Sequence, residues 1–204
     1  MNRKTVVAVL TAVAMLVVPI VVSAMTAAEC HDLMRKLWTD HALWTRQYTI
    51  SALSNLPDKA AAAQRLMQNQ TDIGNAIKPF YGDAAGTQLT NLLKQHIAIA
   101  VELIDAQKAA DTTKTDDAMK RWEANGDQIA AFLSTANPKN WPLEDVKAML
   151  REHLDLTGAQ VEIRLQKDWA QDAINYDNIY SEILKMADAL SAGIVAQFPD
   201  KFTK

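Results

Sequence analysis

The sequence predicts an all-α fold, an antiparallel helical bundle with a long C-terminal helix. Three observations carry that expectation. Only 6 Gly and 6 Pro stand in 204 residues, too few for a turn-rich β fold. Apolar residues recur at helical spacing over most of the chain. Short breakers separate the stretches that carry this spacing. At 49% hydrophobic and 22% charged, the composition is that of a globular chain, and the length suits one domain, residues 25–204, behind a leader. No internal repeat is evident.

Residues 1–24 read as a signal peptide. Arg3 and Lys4 precede an almost wholly apolar run from Thr5 to Val22, and Val22-Ser23-Ala24 supplies the small residues of a cleavage site. A retained anchor is the alternative, since the run approaches the length that spans a bilayer. Lipidation at Cys30 fits less well, because Glu29 precedes it where a small residue is expected. Cleavage predicts an exported protein, periplasmic or extracellular, without stable membrane insertion. Loss of Arg3 and Lys4 takes Lys+Arg from 21 to 19 against 24 Asp+Glu, a formal charge of −5. With no basic patch, nucleic acid is not an expected partner. Cys30 is the single cysteine, so no intrachain disulfide can form and the core must hold the fold.

The first helix is expected from Ala27 to Asn55, with the stripe Met34, Leu37 or Trp38, His41, Trp44 or Thr45, Tyr48 and Ala52. Leu56-Pro57-Asp58 stops it. The second, Asp58 to Ile77, carries Ala62, Leu66, Gln70, Ile73 and Ile77, with Asn69 and Asp72 beside Gln70. Lys78-Pro79-Phe80-Tyr81-Gly82 is a breaker, and Asp83 is a good cap for a third helix, Ala84 to Ala110, whose seam includes His96. The fourth, Asp116 to Thr135, is interrupted by Asn125, and Thr113 or Thr115 can cap it. After the loop Asn137 to Pro142, a short fifth helix, Leu143 to Leu154, places His153 near its C-terminus, where a cation is favoured.

Thr157-Gly158-Ala159-Gln160 reads as a capping box opening the last helix, Thr157 to Gln197, about 60 Å long. Its stripe runs through Val161, Leu165, Trp169, Ile179, Ile183, Leu190 and Ile194. Asp172 falls on that stripe near the middle, with Asp168 and Asp177 beside it.

His41, Gln70, His96, Asn125 and Asp172 thus each lie near the middle of a helix, on its apolar face. Short connections favour antiparallel neighbours, so the five midpoints meet at one height. An unpartnered buried polar group costs about 1–3 kcal/mol, so these residues must satisfy one another or share a guest. Three readings follow: a hydrogen-bond layer that fixes helix register, a metal site, and an organic-ligand pocket. For a divalent metal the candidate ligands are His41, His96, Asp172, Asp72, Asp177, Asn125 and Gln70, because imidazoles and carboxylates on facing helices build metal centres in bundles. No Glu-x-x-His, Cys-x-x-Cys-His or Met-x-x-Met spacing singles out di-iron, covalent haem or copper chemistry. Phosphate loops, nucleophile elbows and nucleotide-binding Gly turns are absent from the sequence, so no catalytic residue is named and a non-enzymatic bundle is expected. The five Trp read as packing anchors.

Several segments carry a resemblance. They are Leu37-Trp38-Thr39-Asp40-His41-Ala42-Leu43-Trp44-Thr45-Arg46, Asn69 to Ile77, Tyr81 to Gly86, Leu92 to Ile97, Trp122 to Ala130 and Gln197-Phe198-Pro199. Together they resemble a family of small helical bacterial and archaeal proteins without an established function. Some relatives carry transferase or kinase names, which no motif of this chain supports. The family tends to place His near positions 180 and 182, where this chain has Tyr180 and Glu182. The resemblance implies the helical fold and no chemistry. Two functional readings follow. One is an exported bundle whose polar waist takes a metal ion or small ligand. The other is a structural or protein-interaction module of the cell envelope whose polar layer fixes register.

Overall fold

The computed structural model describes residues 25–203; the signal-peptide expectation lies outside them. Five helices run in chain order: α1 Ala27–Leu53, α2 Lys59–Lys108, α3 Thr112–Ala136, α4 Leu143–Leu165 and α5 Trp169–Gln197, followed by a 3-10 turn, Pro199–Lys201. Among the described residues there is no strand, only one isolated bridge between Thr26 and Thr203. The all-α expectation holds.

Local chemistry sets most boundaries. Thr26 and Glu29 form a capping box: Glu29 N donates to Thr26 Oγ1 (3.1 Å) and Thr26 N donates to Glu29 Oε2 (2.8 Å). Cys30 is therefore in the first turn of α1 and buried. Asp111 caps α3 by accepting from Lys114 N, so α3 opens at Thr112, four residues before the position the sequence suggested.

The breaker after Ile77 acts as a fold-back point inside α2. Gly82 leaves helical geometry with φ 87°, a region open to glycine at little cost. The two halves, 59–81 and 83–108, then pack antiparallel. Leu66 shares an apolar cluster with Ile97 and Ile104, and Lys59 Nζ meets Asp105 Oδ1 at 3.2 Å. Near the turn the backbones approach so closely that a Cβ on Gly74 would stand 2.5 Å from Gly86 O. Six antiparallel segments result; each packs on the next, and α5 returns to α1.

The long last helix is shorter than expected. The chain breaks at Gln166–Asp168, with Lys167 at φ 61° and Asp168 accepting from Gln171 N to cap α5. The apolar stripe runs on through the break, yet Leu165 is 39% exposed and Trp169 57%. They continue the helical spacing without belonging to the core. Thr157 opens no helix; it is buried inside α4, and Gln160 turns its amide to Asp172. His153 stands mid-helix, away from any C-terminus.

Burial holds the bundle from both ends. One large cluster gathers Met34, Trp38, Ile73, Ile129, Trp141, Leu150, Ile183 and Ile194. Smaller clusters around Tyr48, Leu66, Ile97 and Val161, and around Leu103, Trp122 and Leu154, fill the other end. Side chains such as Ile183, with no exposed area, each contribute about 1.5–3 kcal/mol. The boundary between these clusters is polar.

Candidate functional site

That boundary is built by one relation used three times. His41 on α1 meets Gln70 on the first half of α2, Nδ1 to Nε2, at 3.2 Å. His96 on the second half of α2 meets Asn125 Oδ1 on α3 at 2.7 Å. His153 on α4 meets Glu182 Oε2 on α5 at 2.9 Å. Each partner lies 29 positions after its histidine. Each pair joins two consecutive antiparallel segments near their midpoints, and all six residues are buried. The bundle is thus three hairpins, each with an imidazole on its first segment and an amide or carboxylate on its second. A short recurrence accompanies this: Leu37-Trp38-Thr39-Asp40-His41, Leu92-Leu93-Lys94-Gln95-His96 and Met149-Leu150-Arg151-Glu152-His153 all place an apolar pair four and three residues before the histidine.

The partners fix the imidazole tautomers. Asn125 Nδ2 donates to Leu92 O (3.2 Å), which turns its Oδ1 toward His96 and makes His96 Nδ1 the donor. A carboxylate oxygen likewise makes His153 Nδ1 a donor. Gln70 is the reverse. Its Nε2 donates to Leu66 O at 2.8 Å, so the same nitrogen faces His41, whose Nδ1 must accept. Neutral His41 therefore carries its proton on Nε2, while neutral His96 keeps its Nε2 bare. Gln70 Nε2 has two protons for three acceptors, so the one not given to Leu66 O is shared between His41 Nδ1 and Asn69 Oδ1, both at 3.2 Å, while Asn69 donates to Leu37 O (2.9 Å).

All three rings line one internal cavity of about 20 Å³, with Thr45, Trp122, Thr157 and Gly158 among its other walls. The His41 and His153 rings stand 5.6 Å apart between centroids, and His96 stacks on Trp122 at 5.1 Å. Burial, then the neighbouring imidazoles, holds His41 well below the usual histidine range. The same causes bring His96 down to about 3. Thr45 Oγ1 and Trp122 Nε1 are buried and lack a hydrogen-bond partner among the described residues; so do Gln70 Oε1 and Glu182 Oε1 in the same layer.

The expected carboxylates stand elsewhere. With the true start of α5 at Trp169, Asp172 lies in its first turn and not at its middle. It is held by Arg46 (3.1 and 2.8 Å), Arg164 Nη1 (2.6 Å) and Gln160 Nε2 (3.2 Å), while Arg46 stacks on Tyr176 at 4.4 Å. Burial opposes ionisation of Asp172, but these hydrogen bonds and the two guanidinium charges outweigh it and lower its pKa. Asp72 sits at the rim, accepting from Gln68 Nε2 (2.9 Å) with Arg65 Nη1 at 3.6 Å. Asp177 is exposed. Of the seven candidate metal ligands, the structure brings together His41, Gln70, His96 and Asn125, and leaves out Asp72, Asp172 and Asp177. His153 and Glu182 take the places assigned to Asp172. Among the described residues, no three His, Cys, Asp or Glu side chains are grouped so as to hold a metal ion.

No family model, no curated protein and no solved structure matches the chain. The reading of the waist therefore rests on its own geometry.

Proposed function

We propose that this chain is an exported, non-enzymatic structural or protein-interaction module of the cell envelope, whose histidine layer fixes the register of three helical hairpins. The observation that supports this is the thrice-repeated bond from a buried histidine to a polar residue 29 positions on. Sliding any hairpin partner by one turn, about 5.4 Å, would strand both members of a pair in an apolar interior. A buried polar pair with one correct alignment is a known means of specifying register.

The site's size argues the same way. A cavity of about 20 Å³ has no room for an organic substrate. The larger grooves are open surface features. One, of about 850 Å³, runs along α1, α2 and α5 past Leu43, Trp44, Ile50 and Tyr176, which suits a protein partner better than a small molecule. Its guanidinium groups are engaged within the chain, Arg46 with Asp172 and Arg65 with Asp40 and Asp72. No helix among the described residues is long and apolar enough to cross a membrane.

Metal analysis of protein purified without an affinity tag tests this reading. It expects no stoichiometric metal and no change in thermal midpoint on adding a chelator. A metal present at one per chain and lost in both His96→Ala and His153→Ala would replace the register layer with a metal-binding waist.

A further inference from the structure

We propose that the chain is one helical hairpin repeated three times in tandem and closed into a ring by its C-terminal segment, residues 198–203, which clasps the start of α1. Such a ring does not depend on what the waist binds.

His41, His96 and His153 stand 55 and 57 positions apart, and so do their partners Gln70, Asn125 and Glu182. A second set of residues, picked out by the backbone alone, keeps the same period. Among the described residues, three that are not glycine have positive φ: Asn55 (54°), Ala110 (54°) and Lys167 (61°). Each stands 14 positions after its histidine and 15 before that histidine's partner. The next residue in each case donates its backbone N–H to the carbonyl five positions back: Leu56 to Ser51 O (2.9 Å), Asp111 to Ala106 O (3.0 Å) and Asp168 to Ile163 O (3.2 Å). A bond of this kind, spanning a left-handed residue, closes the C-terminus of many helices. The same turn is thus built three times, although left-handed backbone favours glycine and the position holds Asn, Ala and Lys in turn. Geometry carries the repeat where residue identity does not. Thr45, Ala100 and Thr157, each four positions after its histidine, line one cavity with the three rings, so the first segments meet at corresponding positions. Hairpins one and two end at Gly82 and Asn137, each 41 positions after its histidine, and the chain turns there into the next hairpin. After α5 it turns back to the first. Thr203 N donates to Met25 O (3.1 Å), Phe202 stacks on Phe80 (5.4 Å), Phe198 meets Tyr81 edge-on (5.1 Å) and Lys201 Nζ donates to Pro79 O. Just before them, Gln197 Nε2 donates to Ala136 O at 3.0 Å. The end of the chain therefore reaches the start of the first hairpin and both turns between hairpins, and it closes α5 on α1 without a covalent link.

Circular permutants, with residues 1–24 kept at the front and Lys204 joined to Met25 by a short flexible linker, test the ring. Opening the chain between Gly82 and Asp83 leaves every hairpin whole, and a Cβ on Gly82 would meet nothing within 4 Å, so the cut disturbs no packing there. That permutant is expected to keep the helical circular-dichroism spectrum and a thermal midpoint within about 5 °C of the natural chain's. Opening the chain between Ala110 and Asp111 instead removes one left-handed turn and puts His96 and Asn125 on segments that no longer follow each other. Its midpoint is expected to fall below that of the first permutant. In the unpermuted full chain, Ala110→Gly and Lys167→Gly are each expected to raise the midpoint by about 2–4 °C, because glycine adopts the left-handed turn without strain. Failure of the first permutant to fold overturns the ring. A second permutant as stable as the first overturns the hairpin as the repeating unit. A midpoint that either glycine fails to raise overturns the shared turn, and with it the repeat.

Discussion

His153 donates from Nδ1 to Glu182 Oε2 at 2.9 Å across the α4–α5 pair, with both side chains almost wholly buried. The bond closes the third hairpin as His41–Gln70 and His96–Asn125 close the first two. It is the only one of the three with a carboxylate, so it costs most to break. A buried carboxylate left without its partner costs about 3–5 kcal/mol, so His153→Ala is expected to be the most destabilising single change in the layer. In a double-mutant cycle, His153→Ala with Glu182→Ala is expected to cost less than the sum of the singles by about 0.5–3 kcal/mol. Glu182→Gln keeps an acceptor oxygen and is expected to lose about 1 kcal/mol. Urea unfolding monitored by circular dichroism measures all four; strict additivity would show that the pair is not coupled.

Most helix boundaries are legible because a residue with a physical reason to stop a helix stands there. Pro57, Gly82 and the Asn137–Pro142 loop are such residues, and each was placed from the sequence. The break at Lys167 is not legible in this way. Gln166-Lys167-Asp168 contains neither Gly nor Pro, and the apolar spacing runs straight across it through Leu165 and Trp169, exposed though these are. Asp168 as a helix cap is the one signal. This single boundary moved the site. The rule that polar residues meet at helix midpoints is sound, and it located His41, Gln70, His96 and Asn125. Applied to a helix starting at Thr157, it selected Asp172. Applied to the actual α4 and α5, it selects His153 and Glu182. The 29-residue spacing and the repeated apolar pair before each histidine were on the sequence from the start, but only the hairpins give them meaning.

Two glycines test the packing in opposite directions. At Gly74, a Cβ would meet Thr90 Oγ1 at 1.9 Å and Gly86 O at 2.5 Å, the second a backbone atom that cannot move aside. Gly74→Ala is expected to force the halves of α2 apart and cost about 1–3 kcal/mol. At Gly126, the nearest atom is Leu154 Cδ2 at 3.7 Å, an ordinary contact. Gly126→Ala, inside α3, is expected to gain about 0.5–1 kcal/mol from helix propensity. Thermal midpoints moving in opposite directions would verify the close approach at Gly74; equal shifts would contradict it.

The Asp172 cluster pins the start of α5 to α1 and α4. Arg46 and Arg164 both converge on one carboxylate that is 5% exposed. Removing that carboxylate leaves two guanidinium groups facing each other, and Arg164 Nε already lacks a partner among the described residues. Asp172→Ala is expected to destabilise by about 3–5 kcal/mol. Hydrogen exchange should show the loss first in the opening turns of α5 and the end of α4. Uniform loss of protection across all five helices would mean that the cluster is not a local clasp.

Acid should open the bundle through its histidines well before its carboxylates protonate. His41 and His96 are held neutral in the fold, His96 down to about 3, whereas in the unfolded chain each returns to about 6.5. Above pH 6.5 both states are neutral and the pair adds no pH dependence. Below it the unfolded chain takes up protons that the folded chain refuses, so stability falls with pH by about 1.4 kcal/mol per unit for each histidine. Over the two units to pH 4.5 the pair withdraws about 5 kcal/mol, the lower end of a typical domain's margin of about 5–15 kcal/mol. Asp172, whose pKa is lowered in the fold, adds a loss only below about pH 4, a separate window. Urea midpoints between pH 7.5 and 4.5 are expected to fall steadily from about pH 6.5 down. Replacing His41 by Gln, which offers an amide and no proton site in this range, should reduce that slope by about half even if the variant starts less stable. A wild-type midpoint flat between pH 6.5 and 4.5 would mean that the rings protonate in place and that the sealed layer at the waist does not exist.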